Sequence, residues 1–159
     1  MAEKAKVRTC LWFTQGGHEA AKFYVSLLPD SRIDSVTATG NPDDTAADPM
    51  VVEFTLAGAP MMILTAGPHY KLTPAVSISV LTESQAETDS LWSALTAKGG
   101  EESRCGWLTD RFGVCWQVVP RRMMELFASE DTAAAGRAQG AMLTMGKIDI
   151  AAIEAAFAG

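Results

Sequence analysis

The stretch Cys105-Gly106-Trp107-Leu108-Thr109-Asp110-Arg111-Phe112-Gly113-Val114-Cys115-Trp116-Gln117-Val118-Val119-Pro120 decides how the rest of the chain is read. It holds two of the four tryptophans, two of the three cysteines and one polar side chain, Gln117, in an otherwise apolar run. Asp110-Arg111-Phe112-Gly113 has turn chemistry, Asp first and Gly last, so the flanking runs are expected to fold back as a hairpin. In the second arm side chains alternate between faces, which puts Cys115, Gln117 and Val119 on one side and Trp116 and Val118 on the other. A glutamine there either orients a ligand in a cavity or satisfies groups inside the sheet. Trp116 is expected to pack against a helix, and Trp107 reads equally as core or as cavity rim. Cys105 and Cys115 are placed to face each other across the hairpin, as buried structural thiols. Asp110 and Arg111 are explained by the turn alone.

Upstream of the hairpin, residues 75–81 read as a strand. Thr82 followed by Gln85 has the form of a capping box, opening a helix whose Thr88, Leu91, Trp92 and Leu95 share one stripe. Gly99-Gly100 ends it, and a short strand is expected near 101–104. The same order occurs earlier. A strand at 7–13 stops at Gln15-Gly16-Gly17, and a helix at 18–28 follows, with Ala20, Phe23, Tyr24, Leu27 and Leu28 on one face and Pro29 beyond it. Next come a strand at 32–39, an acid-rich loop at 40–49 carrying Asp43, Asp44 and Asp48, and strands at 50–56 and 60–65 joined through Ala57-Gly58-Ala59. Val7 precedes Phe23 by 16 residues and Val76 precedes Trp92 by 16. Recurrence in step is the mark of a repeated module.

The fold class predicted is therefore α+β, with two βαβββ modules in residues 1–120, the first at about 7–66 and the second at about 75–120. Residues 121–159 read as a helical tail: Met123, Met124 and Phe127 form a stripe, 132–145 is alanine-rich, and Asp149 caps a helix bearing Ile150, Ile153 and Phe157. So many apolar positions imply docking on the domain or on a second subunit.

Composition excludes several classes of function. With 159 residues, 48% hydrophobic and 20% charged, the chain is globular. A net charge of −6 and no basic run beyond Arg121-Arg122 argue against nucleic acid. No apolar run approaches the roughly 20 residues of a membrane span, and the first residues lack a signal peptide's apolar core. Cys10, Cys105 and Cys115 have no metal-site spacing, so reduced thiols in a cytoplasmic protein are expected.

Several of these segments together resemble one family. They are Cys10-Leu11-Trp12-Phe13 leading to Ala20-Ala21-Lys22-Phe23-Tyr24, then Gly67-Pro68-His69, Leu91-Trp92, the 105–117 hairpin, and Met142-Leu143-Thr144-Met145-Gly146-Lys147-Ile148-Asp149. The chain resembles the PhnB-like branch of the vicinal oxygen chelate superfamily, whose glyoxalase and bleomycin-resistance members share one fold and whose PhnB-like members are often labelled 3-demethylubiquinone methyltransferase-like. The resemblance implies paired βαβββ modules cupped around a central cavity, in a homodimer. It also implies, for metal-dependent relatives, His, Gln or Glu ligands on the first and fourth strands of each module. Carried onto this chain those positions are Thr9, Ile63, Val76 (or Ala75) and Gln117, and only Gln117 offers a metal a donor. A catalytic divalent cation takes about three protein ligands, so no metal and no cofactor are expected.

The expected cavity is lined by Thr9, Leu11, Phe13, Phe54, Met61, Ile63, Ile78 and Gln117, an apolar cup with few polar anchors. Trp107 is assigned to it as well. Trp12 has the opposite parity and is assigned to helix packing. His69 is either a general base or ligand clamp or a surface residue of its Gly-Pro loop. The function expected is metal-independent binding of a small molecule, with a second copy as partner. The alternative is a metal-dependent lyase, isomerase or dioxygenase-like enzyme using Gln117 and His69. Methyl transfer is not expected, because two such modules leave no room for the parallel α/β sheet that usually holds S-adenosylmethionine.

Overall fold

The computed structural model describes residues 5–38 and 48–159, so Asp43 and Asp44 of the acid-rich loop lie outside the described residues. The chain divides into two compact units, Met1–Leu72 and Thr73–Gly159.

The first unit contains β1 (Thr9–Phe13), α1 (Gly17–Leu27), β2 (Arg32–Thr37), β3 (Val51–Leu56) and β4 (Ala59–Thr65). Its sheet runs β1-β4-β3-β2, with β1 parallel to β4 and the other neighbours antiparallel. Ala57 and Gly58 both have positive φ, 46° and 81°, as a two-residue turn of primed type requires between β3 and β4. Helix α1 starts from Gly16, left-handed at φ 76°, and stops at Leu28, which Pro29 forces into extended backbone.

The second unit repeats the order: β5 (Ser77–Thr82), α2 (Gln85–Thr96), β6 (Glu101–Glu102), β7 (Trp107–Thr109) and β8 (Cys115–Pro120), with a sheet running β5-β8-β7-β6. Helix α2 is capped two residues beyond the expected place. Ser84, not Thr82, is the N-cap and accepts from Glu87 N–H, while the Glu87 carboxylate reaches back to Glu83 N–H. Thr82 is instead buried, its hydroxyl 2.7 Å from that of Thr88.

Three tail helices complete this unit: α3 (Arg121–Phe127), α4 (Thr132–Met142) and α5 (Ile150–Ala158). Asp131 and Asp149 cap the latter two through their side chains. Met123, Leu126, Ala138, Ile148 and Ile153 form their common core, against which Val119 of β8 packs. The segment entering α5 is clipped to the module: Cys105 N–H donates to Met145 O and Gly106 N–H to Gly146 O, both at 2.8 Å. Gln85 completes the clip, giving Nε2–H to Ile148 O and accepting Ile150 N–H on Oε1.

Candidate functional site

Each sheet has one face covered by its helix and one free of it, and the site depends on which residues take which face. In the first unit α1 rests directly on β4. A Cβ built on Gly17 would lie 2.3 Å from Thr65 Oγ1 and 2.5 Å from Ile63 Cγ2, so only glycine fits. Leu11, Phe13, Phe54, Met61 and Ile63 are buried on this side with Tyr24, whose ring stands 6.5 Å from that of Phe54. Burying a side chain of this size contributes about 1.5–3 kcal/mol. Thr9, the register partner of Met61, shares the face at the exposed end of β1. The cavity lining expected from Thr9, Leu11, Phe13, Phe54, Met61 and Ile63 is thus corrected: these are the helix-side positions of the sheet, and all but Thr9 are core.

The helix-free face of the first sheet carries Arg8, Cys10, Trp12, Glu53, Met62 and Leu64. Arg8 Nη1 pairs with Glu53 at 2.8 Å, Arg8 Nε meets Met62 Sδ at 3.2 Å, and Ser35 Oγ donates to Glu53 at 2.6 Å. Trp12 belongs here, not under a helix. Its Nε1 donates to Gly67 O at 2.9 Å and its ring stands edge-on to Tyr70. Burial pushes the Cys10 thiol above its ordinary pKa, against a hydrogen bond with the Leu64 backbone and the charge of Arg8. It is not an activated nucleophile. His69 is exposed on the segment after β4.

In the second unit Val80, Leu108, Trp116 and Val118 are buried with Leu91, Trp92 and Leu95 of α2. Ile78 pairs with Trp116 and takes the same side, a second correction to the expected lining. The helix-free face carries Ser77, Ser79, Trp107, Thr109, Cys115, Gln117 and Val119. Gln117 is half-buried and donates from Nε2 to Ser77 Oγ at 2.8 Å, and Trp107 is its direct partner across the β7/β8 pair. Among the described residues one amide N–H and the carboxamide oxygen make no further hydrogen bond.

The hairpin's turn has a role that its residue types alone did not reveal. Gly113 N–H closes on Asp110 O at 2.9 Å, as a β-turn should. The buried Asp110 carboxylate also accepts from Phe112 N–H, Val114 N–H and Trp116 Nε1–H, at 2.8, 3.0 and 2.9 Å. An indole in a buried strand needs an acceptor, and that need was the available signal. Cys105 does not face Cys115. The register partner of Cys115 is Thr109, whose hydroxyl lies 3.5 Å from its sulfur, while Cys105 has φ 58° in the turn entering β7.

Register relates the two helix-free faces position by position. Cys10 pairs with Met62 as Ser79 pairs with Gln117, and Glu53 pairs with Met62 as Trp107 pairs with Gln117. Arg8 then corresponds to Ser77, Met62 to Gln117 and Glu53 to Trp107. In both units the residue two before the register partner on the first strand touches the fourth: Arg8 to Met62, Ser77 to Gln117. As holders of a divalent cation these sets do not fit. The first has one carboxylate, Glu53, already paired with Arg8 and Ser35, beside a guanidinium, a thiol and a thioether; the second has a single amide oxygen with two serine hydroxyls, and a protein site for a divalent cation takes several carboxylate, carbonyl or imidazole donors. No group of three or more His, Cys, Asp or Glu suited to a metal occurs among the described residues.

Two βαβββ units with identical strand order define a protein of the glyoxalase/bleomycin-resistance fold class. The chain belongs to the family described as 3-demethylubiquinone-9 3-methyltransferase, matched over residues 5–119, the PhnB-like branch of the vicinal oxygen chelate superfamily. A PhnB protein of Bacillus cereus carrying the same methyltransferase description is 28% identical, covering 73% of this chain and 99% of its own, with TM-score 0.66. A protein of Pseudomonas aeruginosa is 23% identical over 74% of this chain and 98% of its own, TM-score 0.61. The fosfomycin resistance protein FosX of Listeria monocytogenes, in a complex with manganese(II) and a dihydroxypropylphosphonic acid, shares the fold at 12% identity, 74% and 92% coverage and TM-score 0.51. No curated protein matches the chain.

Proposed function

We propose that the protein binds a small oxygen-bearing molecule on the helix-free face of its second sheet, without a catalytic metal. Gln117 orients the ligand. The observation that carries this reading is the Gln117 carboxamide itself, held at one N–H by Ser77, its oxygen without a hydrogen bond among the described residues, with Trp107 opposite it on the neighbouring strand. Fixing one donor of an amide sets the direction of the other groups before a ligand arrives, which lowers the ordering cost of binding. The Trp107 ring supplies apolar area next to a directional polar group, the usual composition of a small-molecule site.

A metal-dependent lyase, isomerase or dioxygenase-like activity has less support, because Arg8 brings positive charge where a ligand would be needed and Gln117 has no carboxylate or imidazole beside it. Methyl transfer has less support still. Gly16-Gly17 does follow a strand, but the close approach of Gly17 to Ile63 and Thr65 accounts for its glycine without a cofactor. Three unpaired cysteines favour a reducing, cytoplasmic setting. No helix among the described residues is long and apolar enough to cross a membrane.

The test is a ligand screen followed through the Gln117 side-chain amide signals in the NMR spectrum, with Gln117→Leu as the control for assignment. Elemental analysis after incubation with manganese, zinc and nickel runs beside it. Ligands that move the Gln117 signals in metal-free protein support the reading. Near-stoichiometric metal surviving dialysis would overturn it.

A further inference from the structure

The family match stops at residue 119, so the helical tail lies outside it. Within the second unit the tail approaches the Gln117–Trp107 pair on both strands and from the same end. On β8, Val119 has the parity of Gln117, sits two residues beyond it, and packs on the tail core of Met123, Leu126 and Ile148. On β7, the two residues preceding Trp107 donate to the tail: Cys105 to Met145 O and Gly106 to Gly146 O. Gly106 is pressed close to it. A Cβ there would stand 3.2 Å from Ile148 Cγ1 and 2.8 Å from Val118 O. In an antiparallel pair the residues before Trp107 and after Gln117 are neighbours, so these contacts close one end of the face.

The clip that holds this arrangement is polar and specific. The Gln85 amide engages Ile148 O and Ile150 N–H as a strand neighbour would, and Lys147 pairs with Asp89 on the same helix at 2.7 Å. The tail is therefore fastened to α2 on one side and applied to the helix-free face on the other. At the opposite end of the pair the strands run on to Thr109 and Cys115 and the Asp110 turn.

We propose that the tail is the wall that sets how long a ligand on the Gln117 face can be, with Val119 as the specificity-determining residue. This rests on the ligand site proposed above. The ligand class is a small carbonyl- or hydroxyl-bearing molecule whose apolar substituent runs from Gln117 toward Val119. Truncating Val119 opens space under the tail while leaving Gln117, Ser77 and Trp107 in place.

The experiment uses the full chain and methyl ketones from 2-butanone to 2-decanone, with affinity read from the Gln117 side-chain amide shifts. In the unmodified protein affinity rises about fourfold per methylene and stops rising at one chain length. In Val119→Ala the rise continues for about one methylene more. Gln85→Ala, which unfastens the clip, is the second arm should Val119→Ala fold poorly, and it too lengthens the series. Gln117 shifts with the same stopping length in Val119→Ala and Gln85→Ala would overturn the role of the tail while leaving the ligand site standing. Absence of Gln117 shifts with every ketone in all the proteins would remove the ligand site, and the wall with it.

Discussion

The Gln117 amide donates to the Ser77 hydroxyl at 2.8 Å across the parallel pair of β5 and β8, on the face that α2 does not cover. The contact is between two neutral groups, both half-buried. Replacing Gln117 by Leu should therefore cost no more than about 1 kcal/mol in chemical denaturation, the net worth of an ordinary hydrogen bond, while ligand binding is lost. A cost well above about 3 kcal/mol would mark the amide as structural.

Asp110 should behave in the opposite way. Asp110 is 3% exposed, and its carboxylate serves two backbone amides and the Trp116 indole. Asp110→Ala orphans these donors in a buried turn, with an expected loss of about 3 kcal/mol or more. Thermal denaturation measures it, and a shift within the scatter of surface substitutions would contradict the role assigned to the turn.

Gly17→Ala tests the seat of α1. The added methyl meets Ile63 and Thr65, and the expected cost is about 1–3 kcal/mol. The Thr65 hydroxyl has no hydrogen-bond partner among the described residues, so Thr65→Ala is cheap by itself and should recover part of the loss. A double-mutant cycle that shows simple additivity would disprove this packing.

The clip on the tail carries a pH dependence of definite sign. The Asp89 carboxyl is held below its ordinary pKa by the hydrogen bond from Lys147, with Gln85 adding to the effect. A lowered folded-state pKa gives stability that is complete above the unfolded value of about 3.9 and fades as pH falls through the folded one. Amide exchange in residues 145–150 should accelerate in that acid window. Lys147→Met should return the Asp89 titration toward its ordinary position.

Edge strands β2 and β5 expose Val36 and Leu81, at 45% and 36%. Unpaired edges with apolar side chains invite a partner, and a second copy of the chain is the simplest one. Sedimentation at micromolar concentration is expected to show a dimer; a clean monomer would end that expectation.

The repeat order was readable because helix and strand periods differ and both halves show them in the same sequence. Which face of each sheet meets its helix was readable only where a polar residue marked one side. In β8, Gln117 sets Trp116 and Val118 apart from Cys115 and Val119, and the assignment of those faces agrees with the structure. In β1, Cys10 and Trp12 are as apolar as Leu11 and Phe13, so alternation carries no sign. Glu53 and Thr55, alternating with Val52 and Phe54 in β3, held the missing mark. The seat of the tail was not readable at all, since a Gln85 amide that grips Ile148 and Ile150 looks in one dimension like any polar residue at a helix start.

The correspondence between the two faces has a practical consequence. On the helix side equivalent positions keep their character, Leu11 with Val80 and Ile63 with Val118. On the other side they have parted company: a thioether answers an amide, a carboxylate answers an indole, a guanidinium answers a hydroxyl. Any spectroscopic reporter placed at Gln117 therefore has its own blank at Met62, on the same backbone, in the same tube and at the same concentration.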